Sequence, residues 1–547
     1  MNPNSALVTA LLAATLLLAL VLPPGQAMAG EAELEAATDA LVTRDFRAVR
    51  AAADAIAASG DPRAPAILQA LLEGHLYYRK RDRRVVIAER EEGGYHIVDA
   101  LTGEDLGSAG RREVRKIKTN NRLRSHIRQL LAGLALGDPD PARRLEAVRQ
   151  MLSRIDADGA NLLRTALARE TDPEVRAAMA VGIALVDIAS EDPATRLGAV
   201  EILGHSLLPE ARNRLAALLE EGAGGRPAEP VPEIRQAAAR ALAAIDWKRA
   251  LNGWGETLFF GISLGSVLLL AAIGLAITFG VMGVINMAHG ELIMLGAYTT
   301  WVVQQLMPNH IGWSLAVAVP LAFLVSGLVG IAIERGIIRF LYGRPLETLL
   351  ATFGVSLVLQ QLVRSIFSPL NRSVETPEWM SGTFQVNEAL ALTWNRLYII
   401  VFALLVFAGL LLILKRTALG LQVRAVAQNR SMARAMGVRA DWVDAATFGL
   451  GSGIAGIAGV ALSQLTNVGP NLGQAYIIDS FMVVVFGGVG NLWGTLVGAL
   501  SLGVVNKVLE PWSGAVLAKI LVLVFIILFI QKRPRGLFPQ RGRAAEG

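Results

Sequence analysis

Apolar stretches separated by short polar loops fill the second half of this 547-residue chain. Each of the first six stretches is close to the roughly 20 apolar residues that a helix needs to cross a bilayer. We predict these membrane-spanning helices near 257–281, 283–306, 312–337, 345–367, 396–415 and 442–465. A further stretch, 475–531, is long enough for two or three more crossings.

Basic residues decide between two and three crossings, because they favour the cytoplasmic side of a bacterial membrane. Lysine and arginine cluster after the third span, after the fifth span and beyond the last one. If all three clusters are cytoplasmic, the chain is outside after the sixth span and must end inside. The last stretch then crosses an odd number of times, which gives three crossings at 475–490, 492–508 and 514–531. The total is then about nine spans. A broken or re-entrant helix at 475–490 is the alternative, because this segment is short and ends in glycines.

Residues 30–253 have the pattern of a soluble helical domain, rich in Ala, Leu, Arg and Glu. A proline-led motif recurs there: Asp138-Pro139 with Arg143, Asp172-Pro173 with Arg176, Asp192-Pro193 with Arg196, and Pro232 with Arg235. Because Asp caps a helix and Pro fits its first turn, the motif predicts helix starts and resembles HEAT-like repeats. An ordinary helical domain is the alternative. Apolar residues flanking two glycines at 85–98 predict a small β-hairpin insert.

Residues 1–29 carry no ionisable side chain, and an apolar stretch is followed by Ala27-Met28-Ala29. This pattern is typical of a signal peptide cleaved after Ala29; an uncleaved anchor helix is the alternative. Either one exports the next domain. We therefore predict an all-α protein with a signal peptide (1–29), an exported HEAT-like domain with a hairpin insert (30–253) and a polytopic membrane domain (254–547).

Composition and charge exclude several functions. The chain has no cysteine and six histidines, so we predict no disulfide and no metal site. Residues 254–547 hold 19 Lys/Arg against 12 Asp/Glu, mostly in short loops, so the basic pI does not indicate nucleic-acid binding. These signals predict a multi-pass protein of the bacterial inner membrane with a periplasmic N-terminal domain and a cytoplasmic C-terminus.

Three polar residues lie in the apolar context of the second span: Asn286, His289 and Glu291. Burying them in lipid would cost several kcal/mol, so they must face protein or water. Glu291 lies about 140° around a helix from Asn286, so this helix needs polar neighbours on two sides or breaks at Gly290. We predict that the three residues belong to a translocation path or gate; hydrogen bonds that only fix the fold are the alternative.

The sixth span and the residues after it carry two further patterns. Glycines at 449, 453, 456 and 459 predict close packing of neighbouring helices. After the span, Gln464 and Asn467 lie among other polar residues. Since amides supply donors and acceptors, we predict an outer vestibule for a polar, uncharged solute; an ordinary polar loop is the alternative.

The loop after the fifth span contains a short predicted helix, with Asn429 as its N-cap and Gly437 as its C-terminal stop. Two arginines lie on one face of it and two methionines on the other: Arg430 and Arg434, Met432 and Met436. Because methionine adapts to varied surfaces, this helix is predicted to contact a cytoplasmic protein. A basic loop that only sets topology is the alternative.

The sequence contains no Gly-x-x-x-x-Gly-Lys-Ser/Thr phosphate loop, so ATP hydrolysis by that route needs another subunit. It also contains no nucleophile with a matched base and no paired carboxylates in a plausible pocket. We predict no catalytic residues, no enzymatic activity and no cofactor.

Four ordered motifs identify a relationship. They are Gly280 to Asn286 (GVMGVIN) running into Ala288-His289-Gly290-Glu291; Thr417, Gly420, Arg424-Ala425 and Ala433 before Gly437; Gly487-Gly488-Val489-Gly490; and Arg533 to Phe538 (RPRGLF). With them, residues 255–540 resemble the permease subunits of the branched-chain amino acid type of ABC importers. The long N-terminal extension and the segment from Leu509 onward are similar to the urea-transporting branch.

The resemblance implies a permease domain at 254–547 and a coupling helix at 430–436 that docks on cytoplasmic ATP-binding subunits, with Arg424 in the same loop motif. It also implies a second permease subunit and a periplasmic solute-binding protein, all arranged at the lipid bilayer. The expected solute is urea, with branched-chain amino acids or short amides as alternatives. A membrane sensor or scaffold that uses the exported domain, and a passive channel without a coupling helix, are the alternatives from other classes.

Overall fold

The computed structural model describes residues 24–538, except residues 44, 92–93, 154 and 222–226. The chain divides into two compact units, the first ending at Trp247 and the second beginning at Lys248. Residues 1–23 of the predicted signal peptide lie outside the described residues, as do Arg541 and Arg543 of the C-terminal basic cluster.

The first unit is mainly helical. Its helices are α1 (Pro24–Ala40), α2 (Phe46–Ala58), α3 (Ala64–Glu73), α4 (Asn121–Ala135), α5 (Pro141–Leu152), α6 (Ala157–Leu167), α7 (Pro173–Asp187), α8 (Pro193–Leu203) and α9 (Pro209–Ala217). One apolar core joins α1–α4 with the sheet that precedes α4. A second core joins α5–α9 with the first residues of α10 (Pro232–Met282).

A five-stranded antiparallel sheet follows α3. Its strands are β1 (Leu76–Arg79), β2 (Val85–Glu91), β3 (Gly94–Asp99), β4 (Asp105–Gly110) and β5 (Val114–Lys116), in the spatial order β4-β3-β2-β1-β5. The predicted hairpin is confirmed as β2 and β3, which pair from Val86–Asp99 to Glu91–Gly94. The insert is larger than predicted. The other three strands were missed because they are short and lack the apolar alternation that marks a strand in a sequence.

A proline starts five helices of this unit and an arginine follows three residues later, at Pro141/Arg144, Pro173/Arg176, Pro193/Arg196, Pro209/Arg212 and Pro232/Arg235. In four of the five, the arginine Nη1 donates to carbonyl oxygens of the preceding turn. Arg144, for example, lies 2.8 Å from the Asp138 oxygen. The arginine thereby donates to carbonyl oxygens in the turn that would otherwise lack a hydrogen-bond partner from a helix backbone.

The predicted first repeat, Asp138-Pro139 with Arg143, is wrong, because the helix starts two residues later at Pro141 and the arginine of the motif is Arg144. Asp140 is the N-cap, and its Oδ1 accepts from the Ala142 amide at 3.0 Å. The sequence DPDP contains the Asp-Pro motif twice, and only the second copy places an arginine three residues after proline. The HEAT-like assignment itself stays a prediction.

The described part of the second unit, up to residue 538, contains the apolar part of α10 and nine further helices. They are α11 (His289–Leu306), α12 (Ile311–Gly336), α13 (Pro345–Phe367), α14 (Trp394–Arg416), α15 (Ala418–Gln428), α16 (Arg430–Ala435), α17 (Ala440–Ser463), α18 (Leu472–Gly487) and α19 (Leu492–Lys532). Single 3₁₀ turns occur at Ile338–Phe340 and Glu378–Met380. A small hairpin of β6 (Thr383–Asn387) and β7 (Leu390–Thr393) precedes α14.

Six of the described helices are long and apolar enough to cross a membrane: Pro232–Met282, Ile311–Phe340, Pro345–Phe367, Trp394–Arg416, Ala440–Ser463 and Leu492–Lys532. These six coincide with predicted spans, which confirms a polytopic helical protein. The last of them contains both predicted spans 492–508 and 514–531, and its backbone leaves the helical conformation at Gly514 (φ 77°, ψ 160°). Neither α11, which holds most of the predicted span 283–306, nor the shorter α18 is among the six. That span, the three crossings of 475–531 and the total of about nine therefore stay predictions.

Glycines bring the neighbours of α17 very close, as predicted. A Cβ atom at Gly456 would lie 2.4 Å from the carbonyl oxygen of Ala322 in α12. A Cβ atom at Gly459 would lie 2.0 Å from the carbonyl oxygen of Ile293 in α11. Since almost every residue of α17 is buried, this helix forms the centre of the bundle.

Candidate functional site

The backbone leaves the helical conformation between α10 and α11. α10 ends at Met282, Gly283 takes a φ of 68°, and α11 begins only at His289. The His289 Nε2 atom lies 2.8 Å from the carbonyl oxygen of Ala271 in α10. Because Ala271 precedes the end of α10 by about 16 Å at 1.5 Å per residue, residues 283–288 return into the bundle before α11 starts. Non-helical backbone inside a bundle is typical of helices that line a transport path.

The predicted break at Gly290 is wrong, because Gly290 lies in the first turn of α11. A Cβ atom at this position would lie 2.6 Å from the carbonyl oxygen of Gly473 in α18. This glycine serves close packing, and the sequence pattern does not separate that use from a helix break. The other prediction was that the helix has polar neighbours on two sides. The Ala271 carbonyl oxygen of α10 contacts His289, and Ser356 and Gln360 of α13 contact Glu291.

Asn286 and His289 are fully buried and are each only partly hydrogen-bonded. The Asn286 Oδ1 atom accepts from the Ala288 amide at 3.0 Å, while Nδ2 has no partner among the described residues. The His289 Nδ1 atom likewise has none. An unpaired buried polar group costs about 1–3 kcal/mol, so both residues are expensive to keep as purely structural groups.

Glu291 is the third member of this cluster and is also buried. Its Oε1 atom accepts from the Ser356 hydroxyl at 2.9 Å and from the Gln360 amide at 2.7 Å. Its Oε2 atom has no partner within the described part of the chain. One carboxylate oxygen is therefore held by α13, and the other is left available as an acceptor.

α13 carries a polar stripe that the sequence analysis missed. Its members are spaced four residues apart and are buried: Thr348, Thr352, Ser356 and Gln360. Besides the bonds to Glu291, the Met287 amide donates to the Thr352 hydroxyl at 3.1 Å, so the stripe also holds the non-helical segment. The signal was the four-residue spacing within an apolar span, which puts all four side chains on one helix face.

Gln464 and Asn467 lie together at the end of α17. They line a depression of about 340 Å³ with Val374, Ser463, Leu465 and Thr466. Gln464 is buried, with its Oε1 atom unpaired among the described residues, and Asn467 is exposed. Among those residues no hydrogen bond joins this pair to the Asn286–His289–Glu291 cluster, so the five predicted path residues form two separate groups.

The predicted loop helix is present as α16, which follows α15. The Asn429 Oδ1 atom accepts from the Met432 amide at 2.9 Å, which confirms the N-cap. Gly437 has a φ of 86° and ends the helix, as predicted. Arg424 of α15 donates from Nη1 to the carbonyl oxygen of Leu414, so it holds the start of the loop.

The two faces of α16 differ in their contacts. Arg430 pairs with Asp444 of α17 and lies over the Tyr342 ring, 3.9 Å from its centroid. Arg434 pairs with Asp441 at 2.7 Å. Both arginines therefore attach α16 to α17, and the Arg434 side chain stays 53% exposed.

The opposite face is open. Met432 is 60% exposed and Met436 is 79% exposed. The separation of arginine and methionine faces follows the sequence prediction, and the methionine face is the more exposed of the two.

A bundle of apolar helices that encloses non-helical backbone and a buried polar cluster defines a polytopic membrane transport protein. The family described as branched-chain amino acid transport system, permease component, matches residues 257–530, and this chain belongs to that family. Its members are transport subunits and not enzymes, which agrees with the prediction.

The relatives match about half of this chain. The high-affinity branched-chain amino acid permease LivH of Escherichia coli is 29% identical over 292 residues, which are 52% of this chain and 94% of the relative. BraD of Pseudomonas aeruginosa, a permease named for the same transport, has the same identity and coverage. The ribose import permease RbsC of Escherichia coli is 24% identical over 50% of this chain and 84% of its own length. No solved structure matches the chain significantly.

Proposed function

We propose that this protein is a permease subunit of an ATP-driven importer for a small polar solute, and that Asn286, His289 and Glu291 lie on the solute path. The supporting observation is that each of the three is buried and keeps one polar atom without a partner among the described residues. Buried polar groups that only stabilise a fold normally have their partners. Groups that bind a passing solute must keep an atom free.

Urea is the first candidate for the solute. The free Nδ2 atom of Asn286 can only donate, and the free Oε2 atom of an ionised Glu291 can only accept. Urea has a carbonyl acceptor and four N–H donors, so it complements both atoms. Short amides share this chemistry and are part of the same proposal.

Branched-chain amino acids are the second candidate, supported by the names of LivH and BraD. An amino acid would bring its ammonium group to Glu291. Its carboxylate would then need the amide groups at the start of α11, where a helix terminus favours an anion. The two candidates therefore differ in one requirement: an amino acid needs a binding site for its carboxylate at the start of α11, and urea does not.

The proposed partners are those that membership of the permease family implies. Cytoplasmic ATP-binding subunits dock on Met432 and Met436, while Arg430 and Arg434 keep α16 in place. A second permease subunit completes the pore, and a periplasmic solute-binding protein delivers the solute. We place residues 30–253 in the periplasm, exported by a signal peptide at 1–29, and the C-terminus in the cytoplasm.

Uptake in cells tests this proposal. Labelled urea and labelled leucine are supplied separately, at low concentration and under nitrogen limitation, to cells with the gene and to cells with an in-frame deletion. We expect the deletion to abolish urea uptake alone, and ATP depletion to have the same effect in the intact strain. The low concentration matters because urea also crosses membranes passively.

The other outcomes are equally informative. Loss of leucine uptake alone would identify branched-chain amino acids, and not urea, as the solute. The proposal that the protein is an importer subunit would then still hold. Normal uptake of both solutes in the deletion strain would contradict both candidates. Uptake that survives ATP depletion would contradict the ATP-driven mechanism and favour a passive channel.

A further inference from the structure

Positive charge is concentrated at one edge of the sheet in the first unit. The segments 79–84 (RKRDRR) and 111–118 (RREVRKIK) hold ten lysines and arginines and only two acids, Asp82 and Glu113. Residues 30–253 as a whole are close to neutral, with 33 Lys/Arg against 34 Asp/Glu. Since β1 pairs with the edge strand β5, with Tyr78 opposite Arg115, the fold brings the two basic segments side by side.

A depression of about 430 Å³ lies within this basic edge. It is lined by Val42, Thr43, Tyr78, Lys80, Arg83 and Arg115. The lining contains three cations and no carboxylate, and none of the three cations forms an ion pair within the described residues. Lys80 donates to the Arg112 carbonyl oxygen at 2.6 Å and Arg83 to the Val42 carbonyl oxygen at 2.9 Å, so both are oriented by neutral groups that leave their charge uncompensated.

The two neighbouring acids are engaged elsewhere. Asp82 pairs with Arg79, whose guanidinium hydrogen bond lowers the pKa of the Asp82 carboxyl. The Glu113 Oε2 atom accepts from the Gly110 amide at 3.0 Å. Neither acid lines the depression, so neither neutralises its three cations.

Arg83 occupies a backbone position that disfavours it. It has a φ of 62° in the tight connection between β1 and β2. Glycine or asparagine is favoured in this left-handed conformation, because a larger side chain with a Cβ atom is strained there. The chain nevertheless carries an arginine at this position, and its side chain lines the depression.

We propose that this depression binds a phosphate-type anion, held by Lys80, Arg83 and Arg115 with the Tyr78 hydroxyl as a further donor. Guanidinium groups match the geometry of phosphate oxygens, and charge-assisted hydrogen bonds are the strong ones. The phosphate belongs either to the headgroup of an acidic phospholipid or to a soluble compound. The membrane spans keep the first unit tethered to the bilayer, so lipid headgroups are present at high local concentration. This favours a lipid headgroup over a soluble phosphate compound as the ligand. This site is independent of the proposed solute path.

Calorimetric titration of the full-length protein in an uncharged detergent tests the proposal. The probes are inorganic phosphate and dihexanoyl phosphatidylglycerol below its micellar concentration, with dihexanoyl phosphatidylcholine as the zwitterionic control. We expect saturable binding of the phosphatidylglycerol probe that weakens with salt, and no binding of the zwitterionic lipid. Inorganic phosphate binding as tightly as that lipid would support the site and assign it to soluble phosphate.

Two pairs of charge-reversal variants distinguish a specific anion-binding site from nonspecific attraction by the net positive charge. Lys80→Glu with Arg115→Glu is expected to weaken binding of the anionic probe at least about tenfold, because each removes a charge-assisted bond. Arg122→Glu with Arg128→Glu makes the same charge change at exposed positions of α4 and is expected to change binding less than about twofold. Absence of binding by both anionic probes, or equal weakening by the two variant pairs, would overturn the proposal.

Discussion

Two buried glutamates of the first unit and one of the second differ in how completely their carboxylate oxygens are hydrogen-bonded. In the first unit, Glu170 is held at both oxygens by Arg144, at 2.7 and 2.8 Å, and also accepts from the amides of Thr171 and Asp172. Glu229 has the same arrangement with Arg196, at 2.8 and 2.9 Å. These carboxylates are fully partnered, and they join α5 to the turn that precedes α7 and α8 to the turn that precedes α10.

In the second unit, Glu291 is bonded at one oxygen only, and Asn286 and His289 each keep an unpaired atom among the described residues. Burial is at least as complete, so exposure does not explain the difference. A fully partnered group contributes to stability, whereas a group with a free atom costs stability and needs another reason to be present. This contrast assigns a structural role to the ion pairs of the first unit and supports a transport role for the cluster of the second.

The largest effect is expected at the open face of α16. Met432→Asp with Met436→Asp should abolish ATP-dependent uptake, because two carboxylates replace the apolar contact for the ATP-binding subunit. The protein should still insert into the membrane, since both side chains are exposed. Met432→Leu with Met436→Leu keeps an apolar surface and should retain uptake. Full uptake by the aspartate variant, measured with labelled solute, would remove the docking role of this helix.

A large loss of stability is expected where the second unit packs around its polar cluster. Gly290→Ala would place a Cβ atom 2.6 Å from the Gly473 carbonyl oxygen. Forcing α11 and α18 apart should cost about 1–3 kcal/mol and lower the melting temperature by several degrees. Gly354→Ala in α13 is the matched control, because nothing lies within 4 Å of its Cβ position. Equal melting temperatures of the two variants would contradict this close packing.

A smaller, pH-dependent effect is expected in the first unit. The hydrogen bonds from Arg144 hold the pKa of Glu170 at about 2, below its ordinary value of 4.5. Because the unfolded chain then binds the proton more tightly, this contribution to stability is present above about pH 4.5 and is lost as the pH falls towards 2. Glu170→Gln should lower stability at pH 7 by about 1–3 kcal/mol and by roughly half as much near pH 3, where part of the contribution is already lost.

Thermal unfolding of the full-length protein between pH 7 and pH 3 measures this difference. Glu174→Gln is the control, since the Glu174 side chain is 70% exposed and its contact with Arg149 is long, at 3.4 Å. A Glu170→Gln variant that melts like the wild type at pH 7 would show that the ion pair adds no stability there.

The positions of the membrane helices were predictable because the length of an apolar run decides them. The start of α11 was not, because the return of residues 283–288 depends on a tertiary contact between His289 and Ala271. The polar stripe of α13 was visible as a spacing but not as a site, since Ser and Thr can also bond to their own helix. For α16 the sequence predicted two faces, but not that Arg430 and Arg434 pair with Asp444 and Asp441 of α17.

The most direct test compares one glutamate from each unit. Glu291→Gln keeps the size of the side chain and an oxygen for Ser356 and Gln360, but turns the free acceptor into a donor. We expect uptake to fall at least about tenfold while the melting temperature stays the same or rises, because a partly paired buried charge is removed. Glu170→Gln should do the reverse, with a lower melting temperature and uptake per folded protein unchanged. Normal uptake by Glu291→Gln would contradict the account, because the free oxygen would then serve no transported solute.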